Sequence, residues 1–172
     1  MHQIRLLTAA EADGARADLV DLLFDCVEGG ASVNFVQPMT REKSATWWQG
    51  ALTSHARHER LILIAEKDGR IDGSVQLVPA GQENQPHRAD IAKLLVHRRA
   101  RRNGLGAALM QAAEAEAKRL NRTLLTLDTE AGSAGERLYQ RLGWTLFGQV
   151  PAYATAADGT HRQACSFFYK LL

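Results

Sequence analysis

Arg101-Arg102-Asn103-Gly104-Leu105-Gly106 comes just after the apolar run Ile91–Val96 and opens a stretch with helical patterning. Two glycines two apart let a backbone approach a bulky anion with no Cβ in the way, and the free N–H groups of a following helix point at it. The arginines ahead of them add positive charge where a pyrophosphate would sit. The hexapeptide therefore reads as a phosphate-binding turn between a strand and a helix.

Three kinds of site use such a turn. A P-loop requires Gly, four residues and then Gly-Lys-Ser/Thr, and no glycine here is followed by Lys-Ser or Lys-Thr. A dinucleotide fold needs a small residue three after Gly106, where Leu109 stands, although Asp128 lies at a distance suited to a ribose contact. The third is an acyl-coenzyme A site with the signature Val-x-x-x-x-Arg/Gln-x-x-Gly-x-Gly/Ala, and Val96, Arg101, Gly104 and Gly106 fill it. Further on, Leu138-Tyr139-Gln140-Arg141-Leu142-Gly143-Trp144 is similar to a Leu-Tyr-x-x-x-Gly-Phe segment, with Trp in place of Phe. On these two motifs and the interval between them, the chain resembles the GNAT family of N-acetyltransferases. Within that family, Phe24–Ser32 with Phe35, Leu127–Ser133, and Pro151-Ala152-Tyr153 with Asp158-Gly159 resemble the tabtoxin resistance-like acetyltransferases. The similarity runs from about Leu22 onward and is weakest over Thr40–Gly81.

Periodicity supplies an element order independently. Gln3–Leu7 reads as a strand, and Thr8-Ala9-Ala10-Glu11 has the form of a capping box ahead of a helix to about Val27, ended by Gly29-Gly30. A loop over Ala31–Met39 leads to a second helix, capped by Thr40 and running to about His58. Leu61–Glu66 and Arg70–Val78 flank Lys67-Asp68-Gly69 as a hairpin. Strand Arg88–Val96, helix Gly104–Arg119 and strand Thr123–Asp128 form one right-handed βαβ unit. A short helix over about Ala134–Leu142 and strands Trp144–Tyr153 and Cys165–Leu171 complete the chain. The expected fold is α/β: a mixed, mostly antiparallel twisted sheet of six to seven strands flanked by about four helices, in one domain over 1–172.

With 172 residues, 45% of them hydrophobic, there is apolar material for a full core. A net charge of +2 gives no argument for nucleic acid, although His97–Arg102 carries four arginines. Cys26 and Cys165 lack paired spacing, so neither a disulfide framework nor a zinc site is expected, and both read as small hydrophobes. His55 and His58 read as a surface pair on one helix face. Charges throughout Met1–Leu23 exclude a secretory h-region, and no run reaches membrane-spanning length. A cytoplasmic, metal-free protein, monomer or homodimer, with neither nucleic acid nor membrane as partner, is expected.

The resemblance implies acetyl-CoA as cosubstrate and direct transfer of its acetyl group to a primary amine. Its pantetheine arm would lie along Arg88–Val96, with N–H groups near Leu95 and Val96 facing the thioester oxygen. Arg101, Arg102, Asn103, Gly104, Leu105 and Gly106 would hold the pyrophosphate. The family often has Asn at the place of Gly132, and Ser133 is the expected substitute for its hydrogen bond. Arg102 stands where the family often has Gly, which is tolerable if its φ stays below zero. The family's strand usually carries a bulge, which would open a cleft between Leu94–Val96 and Thr126–Asp128. Acetyl transfer from a thioester then asks for a carboxylate near the amine and an acid for the departing thiolate. Asp128, at the end of the central strand, and Asp90, at even spacing to Leu94 and Val96, are the candidate bases, with Glu130 a third carboxylate. Tyr139, a phenol of ordinary pKa near 10, is the candidate acid. Phe35, Trp47 and Tyr153 would line the acceptor side. The subgroup resemblance implies a small amino-acid-like acceptor such as tabtoxinine-β-lactam, hence a role in toxin or antibiotic resistance. A cysteine intermediate is not expected. The competing reading is a catalytically silent acyl-CoA sensor.

Overall fold

The computed structural model describes residues 1–172. In chain order the elements are β1 (Gln3–Leu6), α1 (Ala12–Glu28), α2 (Arg41–Ala56), β2 (Leu61–Lys67), β3 (Arg70–Pro79), β4 (Arg88–Val96), α3 (Leu105–Arg119), β5 (Leu124–Glu130), α4 (Ala134–Arg141), β6 (Thr145–Thr155) and β7 (Arg162–Leu171). All seven strands form one sheet in the order β1-β2-β3-β4-β5-β7-β6. Five neighbouring pairs are antiparallel, and only β4 and β5, joined through α3, run parallel. This is the mixed, mostly antiparallel α/β architecture expected from the sequence.

Each face of the sheet carries its own core. On one face, Leu19, Leu22, Leu23 and Val27 of α1 and Trp48 and Leu52 of α2 cover Ile62 and Ile64 of β2. On the other, Leu105, Leu109, Met110, Ala113 and Ala117 of α3 pack on Leu63, Val75, Leu77, Ala89 and Leu125, together with Tyr139, Trp144 and Phe168. The alanine-rich stripe of α3 lets the helix seat close to the strands. The helix caps are those the sequence signals. Thr8 N–H donates to the Glu11 carboxylate at 3.0 Å, with a short 3-10 segment between it and α1. Thr40 Oγ1 accepts from Lys43 N–H at 3.1 Å.

Two features position the site. First, β4 and β5 pair only over Arg88↔Leu124, Ala89↔Leu125 and Asp90↔Thr126, and then part. Second, the β3–β4 register slips between Ser74↔Leu95 and Gln76↔Ala92, so Val75 faces two residues, Lys93 and Leu94. Lys93 takes up this bulge with φ of 49°. Strand alternation is reset there: Ala89 and Ile91 before the bulge, and Leu94 and Val96 after it, all lie toward α3, whereas Leu95 faces α1 and α2. Even spacing from Asp90 to Leu94 and Val96 consequently does not put them on one face. Asp90 lies instead on the α1/α2 face.

His55 differs from the sequence reading. It is buried, with Nε2 2.8 Å from the Leu7 carbonyl and Nδ1 3.1 Å from that of Arg60. His58 lies beyond the end of α2 with φ of 60° and is exposed, so the two do not form a surface pair. The apolar neighbours of α2 and the β1–β2 edge fix this position, and neither is visible in local helix spacing.

Leu109, fully buried between α3 and the sheet, tests the α3 seat. Leu109→Ala should cost about 2–5 kcal/mol in urea unfolding. A cost within roughly 0.5 kcal/mol, as for a surface substitution, would mean that α3 is not seated as described.

Candidate active site

The glycine turn lies between β4 and α3 as its sequence implies. Gly104 has φ of 76° and precedes the first residue of α3, a left-handed position that favours glycine. Gly106 is close-packed: a Cβ there would come within 3.3 Å of Leu138 Cδ2 on α4, and that side chain would have to give way. Arg102 also adopts a left-handed φ of 66°, contrary to the expectation that it would stay below zero, so an arginine bears strain where glycine would bear none. Of the four arginines in the basic run, Arg98 and Arg99 are tied to Asp25 and Asp72 at 2.7 and 2.5 Å, and Arg101 Nε donates to the Val96 carbonyl at 2.9 Å. Arg101, Arg102, Gly104 and Gly106 line the cleft. Leu105 is buried in the α3 core and can contribute only backbone, and Asn103 is exposed and outside the cleft wall.

Where β4 and β5 part, a cleft of about 870 Å³ opens between Ile91–Val96 and Asp128–Glu130. Its walls bring together Asp128, Tyr139, Leu95, Val96 and Ser133 from the sequence-predicted set. Ser133 caps α4, its Oγ accepting from Glu136 N–H at 3.1 Å, and stands 3.3 Å from Thr129 Oγ1. Asp90 is not in the wall. It shares the sheet face of Asp128, one register step down, but its carboxylate accepts from Arg88 at 2.6 Å and from the Thr126 hydroxyl.

Tyr139 is held between Trp144 and Phe168, with ring centroids 6.2 and 6.1 Å away, and its phenol makes no hydrogen bond within the protein. Burial, and after it the negative charge of Asp128, raise its pKa well above that of an ordinary phenol. It is thus a weaker acid than the sequence reading supposed, and it stays protonated across the working pH range.

The structure adds residues that the motifs did not indicate. Cys165 Sγ lies 3.5 Å from Asp128 Oδ2 and 3.1 Å from the Thr129 carbonyl, and Cys26 Sγ lies 3.5 Å from the Val96 carbonyl. Both thiols line the cleft. Burial, then the Asp128 charge, push the Cys165 thiol up to about 11, and burial raises Cys26 as well, so neither supplies a ready thiolate. Glu136 anchors the β5–α4 turn: its carboxylate accepts from Gly132 N–H and, at 2.7 Å, from Ser166 Oγ. The Ser-x-x-Glu spacing of Ser133 and Glu136 carried that signal in the sequence. Of the three aromatics expected at the acceptor side, Tyr153 is in the cleft wall and stacks edge-on against Phe167 at 5.2 Å, whereas Phe35 and Trp47 lie outside the wall and meet edge to face at 5.9 Å.

A strand-turn-helix cradle, a cleft between parting strands, and a carboxylate facing a buried phenol suit transfer of an acyl group from a long anionic carrier to an amine. Comparison with known proteins agrees. Residues 17–144 match the family model described as the Acetyltransferase (GNAT) family. A relative from Azospirillum brasilense, described as an uncharacterized N-acetyltransferase in the hisH-hisA intergenic region, is 31% identical over 76% of this chain and 86% of its own. The fold matches a ribosomal-protein-alanine N-acetyltransferase from Brucella melitensis with a TM-score of 0.77, at 22% identity over 99% of both chains. It also matches the Salmonella typhimurium protein yncA, solved with its cofactor acetyl-CoA, with a TM-score of 0.76 at 18% identity over 100% of this chain and 94% of that one.

The coupling of Cys165 to Asp128 can be read directly. In a Cys26→Ser background the remaining thiol should titrate near 11, followed by the ultraviolet absorbance of the thiolate, against an ordinary 9.0. Adding Asp128→Asn should lower that midpoint, because the neighbouring negative charge is gone. A midpoint indifferent to Asp128 would separate the two groups.

Proposed function

From membership of the GNAT acetyltransferase family, to which this chain belongs, we propose that it moves the acetyl group of acetyl-CoA directly onto a primary amine of a small amino-acid-like molecule. The protein is an acetyl-CoA-dependent N-acetyltransferase. The observation that carries the finer reading is the parting of β4 and β5, which sets Asp128 and Tyr139 in one cleft with the glycine turn.

The residues present fit the cosubstrate. Gly104 and Gly106 keep the start of α3 open to a pyrophosphate, and Arg102, which pairs with nothing in the protein, can meet its charge. The free edge of β4 beyond Asp90 offers backbone groups to the amides of a pantetheine arm. In the transfer, the amine lone pair forms the C–N bond, the C–S bond breaks, one amine proton leaves for Asp128 directly or through water, and the sulfur is reprotonated. Tyr139 donates to that sulfur. Its raised pKa makes full proton transfer uphill while Asp128 is charged, and protonation of Asp128 removes one of the two causes of that shift. Base and acid therefore act in sequence through one electrostatic contact.

Support for the tabtoxin resistance-like subgroup comes from convergence of the three segments that resemble it. Gly29–Asn34, Asp128–Glu130 and Tyr153 meet at the cleft, and the Asp158-Gly159 turn is held against the same loop by Gln37 N–H donating to Ala157 O at 2.7 Å. On this reading the acceptor is tabtoxinine-β-lactam or a similar amino-acid toxin, and the role is resistance.

An Asp128→Asn, Tyr139→Phe double variant should retain acetyl-CoA binding and lose about 10²–10⁴-fold in turnover, measured as acetyl-CoA-dependent thiol release across a panel of amines. Unchanged turnover would remove both residues from the chemistry. Binding of acetyl-CoA by the native protein without turnover of any amine would favour the sensor reading.

A further inference from the structure

The cleft contains a charge that acetyl transfer does not use. Lys93 sits in the β4 bulge, half-buried in the cleft wall, in a left-handed conformation that a lysine adopts only at a cost. Its ammonium lies over two aromatic faces, 5.8 Å from the Phe35 ring centre and 5.6 Å from that of Trp47. It has no ion pair and no hydrogen bond within the protein. The charged groups that bear on it are Asp128 from β5, which favours its charge, and Arg60 from the loop before β2, which opposes it. Cation–π contact recovers only part of the hydration lost by an ammonium held in this way.

A half-buried cation with no ion pair, facing a ligand cavity, matches an anion that arrives with the ligand. The bulge aims this one: without the extra residue, strand alternation would put position 93 on the α3 face with Ile91. The cleft then presents charges of both signs to the acceptor, Asp128 for an ammonium and Lys93 for its counterpart, with the Phe35 and Trp47 rings beside the cation.

We propose that Lys93 is the specificity residue of the acceptor site and recognises a carboxylate, so that the acceptor is a zwitterion whose amine lies toward Asp128 and whose carboxylate lies on Lys93. The assignment rests on the acetyl-transfer reading above and adds to it the anionic half of the acceptor. A carboxylate bound there favours the charged state of a lysine whose pKa burial has pulled down to about 8. It also gains a charge-assisted hydrogen bond out of water.

The test uses matched acceptors that differ only in this group: free α- and ω-amino acids against their carboxamides. For the native enzyme, KM for the carboxamides should exceed that for the acids by roughly 10- to 100-fold, the span of one hydrogen bond to a charged group. In Lys93→Met, which keeps the aliphatic stem, that ratio should collapse toward one, and in Lys93→Arg it should largely persist. Acetyl-CoA binding and thermal unfolding of the variants report whether the fold and the cosubstrate site survive. A native enzyme indifferent to the carboxylate, or a Lys93→Met variant that keeps the full acid-to-amide ratio, overturns the assignment. Acetylation of carboxylate-free amines with no amino acid accepted also overturns it, while leaving acetyl transfer intact. If neither set is acetylated, the amino-acid-like acceptor of the proposed function falls with it.

Discussion

Three paired positions between β4 and β5, and no more, are what the rest of the molecule is arranged around. Strands joined by an α-helix in a parallel crossover ordinarily continue side by side, because each unpaired backbone group costs free energy once it leaves water. Here pairing stops at Asp90↔Thr126, and both strands run on, β4 to Val96 and β5 to Glu130. The free edges persist because each strand is held from its other side, β4 by β3 and β5 by β7. The result is a slot with backbone donors and acceptors along its rim and side chains of both sheet faces at its mouth, which a long chain of amides and esters can fill.

The end of the slot is kept in place by charges recruited from distant segments. The loop after β4 is pinned by Asp25 of α1, which accepts from both Arg98 N–H and Arg98 Nε at 2.9 and 2.7 Å, and by Asp72 of β3, which takes Arg99 at 2.5 Å and His2 at 2.8 Å. Burial alone would raise the pKa of both carboxyls, but the hydrogen bonds outweigh it and hold each below the usual range. This division of labour explains why a run of basic residues need not indicate nucleic acid. Arg98 and Arg99 are spent on the fold, and Arg101 and Arg102 face the cleft.

What could be read from the sequence was whatever depends on near neighbours in the chain. Glycine positions, caps and hydrophobic period are local, and they located every strand and helix to within a few residues, together with the turn; the family resemblance pointed to Tyr139 and Ser133, which with Asp128 line the cleft. Pairing across the sheet was hidden. One extra residue in β4 inverts the face assignments, so Asp90 reads from spacing as a partner of Leu94 and Val96 while its side chain lies on the other face. Cys165 reaches Asp128 because β7 lies antiparallel beside β5, a pairing no local pattern announces. His55 looks exposed on a helical wheel and is buried because β1 crosses near it. Lys93 carries no motif at all: its place in the cleft follows from the bulge.

The cleft behaves as one electrostatic unit with Asp128 at its centre. That single carboxylate adds to the raising of Tyr139 and Cys165 by burial and counteracts the lowering of Lys93 by burial. Burial first, and the Asp128 charge after it, favour the neutral phenol and the neutral thiol. On the proposed mechanism, an Asp128 that accepts the amine proton would no longer raise the phenol, which would be a better acid as the thiolate departs. A zwitterionic acceptor, as proposed, would add a second negative charge at Lys93 and balance it with the ammonium at Asp128. Proton movement and acceptor recognition would then share the charge of Asp128, and a change there is expected to register at Tyr139, Cys165 and Lys93.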